Sequence, residues 1–286
     1  MFRPPAEAGS SLIRVADGCP HNRCLFCLMY RGVPYREHNR DELTRRIVQA
    51  GAEHPGCRRV FLADGDVLAL DQTNLEFILT SLRQTFPDLA RVNCYASGKS
   101  LTGKSTEQLR RLRAEGLHTL YVGLESGCED ALRGMGKAGA VEDSVQGCLR
   151  AQDAGLTLSV MILIGLGGSK LSARHVTDTV KALNRIQPRL LSCLRLMVLP
   201  GSLLMEKIKQ KSFAPLSEDE AVRELRRLLV GLELTGTIFR ADHSSNVLPL
   251  SGRLPRDKDR LVAELDELLD CDVLDQSGPG PLPARL

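Results

Sequence analysis

Six short β-rich runs alternate with amphipathic stretches between residues 11 and 199, and this alternation constrains the fold more than any other feature. The runs cover residues 11–15, 59–63, 91–95, 118–122, 157–164 and 190–199. Apolar residues at helical spacing predict helices over residues 38–53, 74–85, 105–115, 140–154 and 173–186. Repeated β/α units favour parallel strands covered by helices. We therefore expect an α/β fold, in the form of a partial (β/α)6 TIM-like barrel with parallel strands.

The C-terminal part of the chain has a different pattern. Ser217 and Glu220 have the spacing of a capping box that opens a helix. The predicted elements are a helix over 217–232, a strand over 235–240 and an acidic helix over 257–269. We expect a core barrel over residues 1–212 and a small α/β extension over 213–286 that completes the barrel opening. The last residues, 278–286, are rich in Gly and Pro and are expected to be flexible.

Polar residues and glycines follow the predicted strands at the points where the strands end. Active sites of parallel barrels form where strands end and βα loops begin. The candidates are Asp64, Gly65, Asp66, Ser97, Glu125, Ser126, Gly165 and Arg195. Their convergence on strand ends predicts a site at this edge of the sheet.

Three cysteines, Cys19, Cys24 and Cys27, lie within nine residues directly after the first predicted strand. Thiolates at this density indicate a metal centre. One reading is a four-iron cluster with three Cys ligands, which leaves one iron open to a small molecule. Another is zinc, with His21 or His38 as the fourth ligand. The other six cysteines are scattered, and their pattern is typical of buried structural thiols.

The composition narrows the class of protein. The chain has 286 residues, of which 43% are hydrophobic, and a formal net charge of +3, so it is not a purely electrostatic nucleic-acid binder. No apolar run is long enough to span a membrane. The N-terminal residues lack the apolar stretch of a signal peptide, and a cytoplasmic location is expected.

Taken together, these motifs resemble the radical S-adenosylmethionine (SAM) superfamily over about residues 11–205. The cysteines form a variant Cys-X4-Cys-X2-Cys loop, and Phe26 occupies its aromatic position. The segment Gly123–Gly127 is similar to a motif of the subgroup that contains oxygen-independent coproporphyrinogen oxidases, methylthiotransferases and the elongator catalytic subunit. A further similarity is Pro200-Gly201-Ser202, which follows the sixth strand.

The resemblance implies roles for these residues. Cys19, Cys24 and Cys27 would be the catalytic ligands of a [4Fe-4S] cluster. The adenine of SAM would lie near Phe26 and the backbone of Gly165. The Asp64-Gly65-Asp66 turn would hold its amino group, and Glu125 would bond its polar groups. The cofactor site would also include Ser97, Ser126 and Arg195. The implied chemistry is reductive cleavage of SAM to a 5′-deoxyadenosyl radical, which takes a hydrogen atom from an unidentified substrate. A one-electron reductant such as flavodoxin or ferredoxin is the implied partner.

Two departures from the superfamily pattern stand out. Four residues separate Cys19 from Cys24, where three are usual. The motif after the fifth strand has Gly168 where the superfamily has a distal glutamate. The first departure requires the loop to absorb one residue, and the second weakens the assignment of Gly165 to the adenine site.

The candidates for substrate contacts lie outside these motifs. They are Tyr30 and Arg31 beside the cysteine loop, and Asp242, His243 and Asn246 in a polar cluster. Tyr30 and Arg31 could instead belong to a solvated loop. The polar cluster could instead be a turn built from Asp, Ser and Asn. We expect a small-molecule or protein-borne substrate rather than nucleic acid.

Two other functions are compatible with the residues. The chain could be a zinc-stabilised, non-catalytic binding protein on a barrel scaffold. It could also be a conventional barrel aldolase or isomerase that uses Asp64, Asp66 and Glu125.

Overall fold

The computed structural model describes residues 3–137 and 139–282. Its strands in this part of the chain are β1 Ser11–Arg14, β2 Ala16–Asp17, β3 Arg36–Glu37, β4 Arg59–Ala63, β5 Arg91–Ser97, β6 Leu117–Glu125, β7 Thr157–Ile164, β8 Leu190–Arg195, β9 Thr237–Ala241 and β10 Leu250–Leu254. Its helices are α1 Arg40–Glu53, α2 Gln72–Thr85, α3 Gly98–Thr102, α4 Thr106–Ala114, α5 Glu129–Gly134, α6 Val141–Asp153, α7 Gly168–Ile186, α8 Leu203–Lys209, α9 Glu218–Gly231 and α10 Lys258–Asp270.

Eight of these strands form one mostly parallel sheet in the order β1-β4-β5-β6-β7-β8-β9-β10. Parallel pairs include β1 with β4, β4 with β5, and β7 with β8. In the C-terminal part, β9 joins β8 in parallel and β10 returns antiparallel to β9. The α/β prediction of a partial TIM-like barrel with a C-terminal extension is confirmed.

Several element boundaries differ from those predicted. Strands 59–63 and 157–164 lie where expected, but β8 ends at Arg195 rather than at 199. Leu196 still donates its N–H to Ile164. The chain then leaves the sheet ahead of Pro200, which has no N–H to donate. Elements that the sequence did not predict are β2, β3, β10 and the short helices α3, α5 and α8.

The chain divides into two compact units. The first contains the residues up to Asn22 together with Met29–Gly123 and Glu142–Leu158. The second contains Arg23–Leu28, Leu124–Val141 and the residues from Ser159 onwards. The domain boundary expected at residue 212 stays a prediction. In the described part of the chain, no helix is long and apolar enough to cross a membrane.

The C-terminal segment is tied to α9 at its described end. The Glu218 N–H lies 3.0 Å from both the Asp275 and Gly278 carbonyl oxygens. Ser217 caps α9 through the predicted capping box, which is confirmed. The final four residues of the segment expected to be flexible, 283–286, lie outside the described residues.

The first unit packs aromatic rings and a buried carboxylate together. Phe61, Tyr95 and Tyr121 meet edge to face, with ring centroids 5.0 to 6.3 Å apart. Glu7 is buried and accepts hydrogen bonds from Asn93 Nδ2 at 2.8 Å and from the Tyr121 hydroxyl at 2.5 Å. Because its carboxylate is satisfied by these donors, Glu7 is tolerated in the interior.

The second unit brings α7 against the turn that follows β6. A Cβ atom built on Gly127 would lie 2.2 Å from the backbone oxygen of Asp178 in α7. The Gly127 N–H donates to Thr179 Oγ1 at 2.8 Å. The contact is backbone against backbone, so the turn depends on a residue without a side chain.

Replacing Gly127→Ala is expected to destabilise the protein by about 1–3 kcal/mol, because backbone atoms must move to admit the methyl group. Gly134→Ala is the matched control, since nothing lies within 4 Å of its Cβ position. The control should leave stability unchanged or raise it by up to about 1 kcal/mol. Urea unfolding measures both, and equal effects would contradict this packing.

Candidate active site

The second part of the cysteine loop, Arg23–Leu28, is anchored on both sides by backbone hydrogen bonds within the second unit. The Leu25 N–H donates to Met135 O at 2.9 Å, and the Leu204 N–H donates to Leu25 O at 3.1 Å. The Cys27 N–H donates to Cys24 O at 3.2 Å, which folds the Cys-X2-Cys segment into a turn. Both cysteines are half-buried, so the turn presents its thiols at a partly accessible surface.

The four-residue spacer is absorbed by a left-handed residue in the first unit. Asn22 has φ 42°, a region that Asn tolerates better than most residues. Its side-chain amide donates to Tyr30 O at 2.8 Å and to Val33 O at 3.3 Å. The extra residue is therefore accommodated in an ordered turn rather than a loose loop.

The turn after β4 packs against the start of the cysteine loop. A Cβ atom on Gly65 would lie 2.5 Å from Gly18 O and 2.6 Å from Cys19 Cα. Only glycine permits this approach. Two of the predicted features, Cys19 and the Asp64-Gly65-Asp66 turn, are thus in contact within the first unit.

Asp64 is buried in this turn and adopts φ 85°, a conformation that is unusual for an aspartate. Its Oδ2 lies 2.6 Å from Arg14 Nε, and the Tyr30 hydroxyl is a further neighbour. Burial raises the pKa of Asp64, while the Arg14 charge acts in the opposite direction. The carboxylate of Asp64 is therefore committed to an internal ion pair.

Asp66 has a different environment, although it lies only two residues away. It is half-buried, and its Oδ2 and Oδ1 accept hydrogen bonds from Ser97 Oγ at 2.5 Å and Ser100 Oγ at 2.7 Å. Ser97 also caps α3. The structure thus brings together Asp66 and Ser97, both of which were predicted from the sequence.

Tyr30 and Arg31, the predicted substrate contacts beside the loop, are placed differently from one another. Tyr30 is buried, and burial raises the pKa of its hydroxyl, with the Asp64 carboxylate adding to the effect. Arg31 is exposed. The Tyr30 side chain therefore lies in the protein interior, whereas Arg31 lies at the protein surface.

Glu125 ends β6 with φ 62°, the second non-glycine residue in the left-handed region at a strand end. Its Oε1 lies 3.1 Å from Lys137 Nζ, and both side chains are mostly buried. Backbone strain of this kind is concentrated at functional sites and costs about 1–3 kcal/mol. Lys137 was not predicted as part of the site.

Ser126 is fully buried beside α7. Its hydroxyl accepts from the Cys128 N–H at 2.9 Å and lies 2.7 Å from His175 Nδ1. The sequence motif placed Ser126 near SAM, whereas its side chain points into the protein. The Ser126 hydroxyl therefore stabilises the turn by accepting a hydrogen bond from the backbone N–H of Cys128.

Gly165, at the end of β7, has φ 86° and donates its N–H to Glu224 Oε1 at 2.6 Å. The other oxygen of Glu224 accepts from the Ser172 hydroxyl. His175 Nε2 faces the same carboxylate at 3.5 Å. Glu224 and His175 are both fully buried and were missed in the sequence. The sequence signal for their burial was their position: His175 lies on the apolar face of α7, and Glu224 lies on the apolar face of α9.

Burial shifts both of these groups toward their neutral forms. It raises the pKa of Glu224 to about 7, against hydrogen bonds from Ser172 and the Gly165 N–H. It lowers the pKa of His175 to about 4. A buried carboxyl group that titrates near neutral pH therefore lies directly behind the end of β7.

Phe26 packs against an apolar cluster in the second unit. The buried members of that cluster are Leu132, Met135, Leu166, Leu196 and Leu204. Leu166 directly follows Gly165, so the aromatic ring of the cysteine loop and the end of β7 belong to one apolar surface.

Arg195 and the predicted polar cluster are held mainly by each other. Arg195 Nε donates to Ser245 O at 2.6 Å, and its Nη1 lies 3.4 Å from Glu218. The side-chain amide of Asn246 donates to two backbone carbonyl oxygens, those of Cys193 and Ala241. These contacts build the connection between β9 and β10.

The two other residues of that connection are more accessible. Asp242 is exposed and pairs with Arg240 at 2.9 Å. His243 is half-buried, with Nδ1 at 2.9 Å from Ser245 Oγ, and burial lowers its pKa despite the nearby Asp242.

The donor set of the loop fits an iron–sulfur cluster. Its three cysteines form no disulfide and are half-buried, and the segments that carry them are fixed by backbone contacts. His38, a candidate zinc ligand, is instead buried with Nε2 at 3.2 Å from Asp17. Within residues 3–137 and 139–282, no group of three His, Cys, Asp or Glu side chains has the arrangement of a single-ion site. The zinc alternative gains no support from these residues.

The sequence profile of the Radical SAM superfamily matches residues 13–183, which include the cysteine loop and the strand ends through β7. The chain belongs to the radical SAM superfamily. The cofactors predicted from the sequence, a [4Fe-4S] cluster and SAM, are those of this superfamily. Members require an external electron donor and a substrate.

Several solved structures share the fold of this chain. The methyltransferase TsrM from Kitasatospora setae, solved with cobalamin and a [4Fe-4S] cluster, has a TM-score of 0.59 and 19% identity over 71% of this chain and 40% of its own. Coproporphyrinogen III oxidase HemN from Escherichia coli has a TM-score of 0.61 and 16% identity over 77% of this chain and 51% of its own. Elp3 from Methanocaldococcus infernus has a TM-score of 0.54 and 14% identity over 93% and 64%.

The enzyme spans about half or less of the length of TsrM and HemN. At these identities the likeness concerns the fold alone. A search of curated proteins found no significant match.

The buried Glu224 predicts a pH dependence of stability. Its pKa of about 7 in the folded protein exceeds its ordinary value of 4.5, so its stabilising contribution is lost as the pH rises through 7. The lowered pKa of His175 acts oppositely, but only below its ordinary value of 6.5. Between about pH 6.5 and 8.5, the free energy of unfolding should therefore fall by about 1 kcal/mol.

Urea unfolding of the wild type and of Glu224→Gln at both pH values measures this effect. The variant cannot titrate, so its stability should change less over this interval. An identical pH dependence in the two proteins would show that Glu224 keeps an ordinary pKa.

Proposed function

We propose that this enzyme uses its [4Fe-4S] cluster to cleave SAM reductively, and that the 5′-deoxyadenosyl radical so produced abstracts a hydrogen atom from the substrate. The observation that carries the proposal is the anchored loop of three thiols inside a chain matched by the superfamily profile. Cys19, Cys24 and Cys27 would each ligate one iron and leave the fourth iron for SAM. The chain's own residues bind and orient SAM.

In the first unit, we assign the amino group of SAM to Asp66 rather than Asp64. Asp64 already pairs with Arg14 and is buried, so an ammonium group would have to displace that ion pair. Asp66 is partly accessible, and hydrogen bonds from Ser97 and Ser100 orient its carboxylate. A carboxylate and an ammonium group form a strong, charge-assisted hydrogen bond.

In the second unit, Glu125, Gly165 and Phe26 are the proposed contacts. The backbone at Glu125 is left-handed and its carboxylate pairs with Lys137, and we assign the polar groups of SAM to this carboxylate. Gly165 offers backbone without a side chain, as the approach of an adenine requires. Phe26 and its apolar cluster supply a surface on which the base can pack.

The proposed partners follow from charge and access. A one-electron reductant such as flavodoxin or ferredoxin would meet a loop with exposed Arg23 and Arg31, which complement an acidic surface. The proposed substrate is a small molecule or a protein-borne group rather than nucleic acid. Arg31, Asp242 and His243 remain the proposed substrate contacts, because the Tyr30 and Asn246 side chains are engaged within the fold.

Replacing any one of the three loop cysteines tests the cluster directly. Cys24→Ala is expected to lose most of the bound iron and sulfide and to abolish formation of 5′-deoxyadenosine from SAM with dithionite. Cys271→Ala, at an exposed cysteine outside the loop, should keep both. SAM cleavage that survives in Cys24→Ala would contradict the proposal, as would stoichiometric zinc in place of iron.

The choice between the two aspartates is tested by SAM affinity. Asp66→Asn should raise the Kd for SAM about 10-fold or more, since it removes a charged hydrogen-bonding partner. Asp64→Asn should mainly lower stability, because it leaves Arg14 without its ion-pair partner. Equilibrium dialysis of the reconstituted protein measures both, and the reverse pattern would assign the amino group to Asp64.

A further inference from the structure

A continuous set of buried polar groups connects the end of β6 to the end of β7 within the second unit. We call it the buried relay, and it consists of Ser126, His175, Glu224, Ser172 and Gly165. Its residues come from the two strand ends and from α7 and α9. Except at Ser126 and Gly165, none of these residues belongs to the motifs that identify the superfamily in this sequence.

At the β6 end, the relay controls the backbone that follows Glu125. Ser126 Oγ accepts from the Cys128 N–H and is hydrogen-bonded to His175 Nδ1, 2.7 Å away. Thr179, one helical turn beyond His175, accepts from the Gly127 N–H. The turn is therefore fixed to α7 by two polar side chains on one helix face.

At the β7 end, the relay controls the conformation of Gly165. The Glu224 carboxylate accepts from the Gly165 N–H at 2.6 Å, across a sequence separation of 59 residues. Its second oxygen accepts from Ser172 Oγ, which in turn accepts from Arg227 Nη2 at 3.1 Å. The N–H of the left-handed Gly165 is thus held from α9, while its carbonyl oxygen accepts from the N–H of Gly168, which stands where the superfamily has a glutamate.

The two ends meet at His175 and Glu224. His175 Nε2 has no hydrogen-bond partner that meets standard geometry, and it faces Glu224 Oε1 at 3.5 Å. Both residues are fully shielded from solvent. This approach of Nε2 to Oε1 is where the two halves of the relay meet.

Burying the polar groups of this relay costs free energy of desolvation. Apolar residues of similar volume are often as stabilising as buried ionisable groups, or more so. Buried polar groups that are hydrogen-bonded can instead specify one local geometry, and the side-chain groups of the relay are hydrogen-bonded except at His175 Nε2. Here the specified geometry is that of two strand ends with left-handed residues, Glu125 and Gly165.

We propose that Glu224 and His175 are positioning residues, which hold the ends of β6 and β7 in the conformation that SAM binding requires. The inference rests on the proposed function, because Glu125 and Gly165 are contacts of SAM only under that proposal. Neither positioning residue touches SAM in this account. They act through the Gly165 N–H and through the Ser126 hydroxyl.

The test compares SAM binding, iron content and thermal stability in reconstituted wild type and variants. Glu224→Leu and His175→Phe should raise the Kd for SAM at least 10-fold while iron content stays at the wild-type value. Glu224→Gln should recover most of the affinity, because its amide oxygen can still accept from the Gly165 N–H. This rescue by the conservative variant would not arise from a loss of packing alone.

Glu7→Gln is the matched control. Glu7 is also a buried carboxylate with several hydrogen bonds, but it binds Asn93 and Tyr121 in the first unit. Its replacement should lower the melting temperature without changing the Kd for SAM. Wild-type affinity in Glu224→Leu, or an equal loss of affinity in Glu7→Gln, would overturn the inference. If the wild type itself fails to bind SAM, the proposed function is at fault.

Discussion

Left-handed backbone at strand ends is the constraint on which this structure depends. Asp64, Glu125 and Gly165 all have positive φ, at the ends of β4, β6 and β7. For the two non-glycine residues this conformation costs roughly 1–2 kcal/mol each, so each turn needs a compensating contact. Each has a charged partner: Arg14 beside Asp64, Lys137 beside Glu125 and Glu224 at the Gly165 N–H.

This constraint explains how neighbouring residues take different roles. In the turn after β4, Asp64 is used for folding through Arg14, which leaves Asp66 as the accessible carboxylate beside Ser97. In the turn after β6, Ser126 is directed into the protein while Glu125 lies at the strand end. Adjacent residues of one motif thus have different partners in the fold: Asp64 pairs with Arg14 and Asp66 bonds Ser97, while Glu125 pairs with Lys137 and Ser126 bonds His175.

The local parts of this arrangement could be predicted from the sequence, whereas the partners could not. Alternating apolar runs identified the strands, and the cysteine spacing identified the loop, because both signals lie within a few residues. Arg14, His175 and Glu224 were missed because their partners are remote in sequence, as with the 59 residues between Gly165 and Glu224. A polar residue on an apolar helix face signals burial but does not name its partner. For Asp242 and Asn246 the sequence showed the residues as a polar cluster but not their structural context. In the structure they lie in the connection between β9 and β10, where Asp242 pairs with Arg240 and Asn246 donates to Ala241 O.

We propose that Cys19, Cys24 and Cys27 hold a four-iron cluster with one iron open to SAM. Electron paramagnetic resonance of the dithionite-reduced, reconstituted wild type with and without SAM tests this proposal. We expect a [4Fe-4S] signal whose g values shift when SAM is added, since SAM would bind the open iron. A cluster signal that SAM leaves unchanged, or a protein that incorporates no cluster, would contradict it.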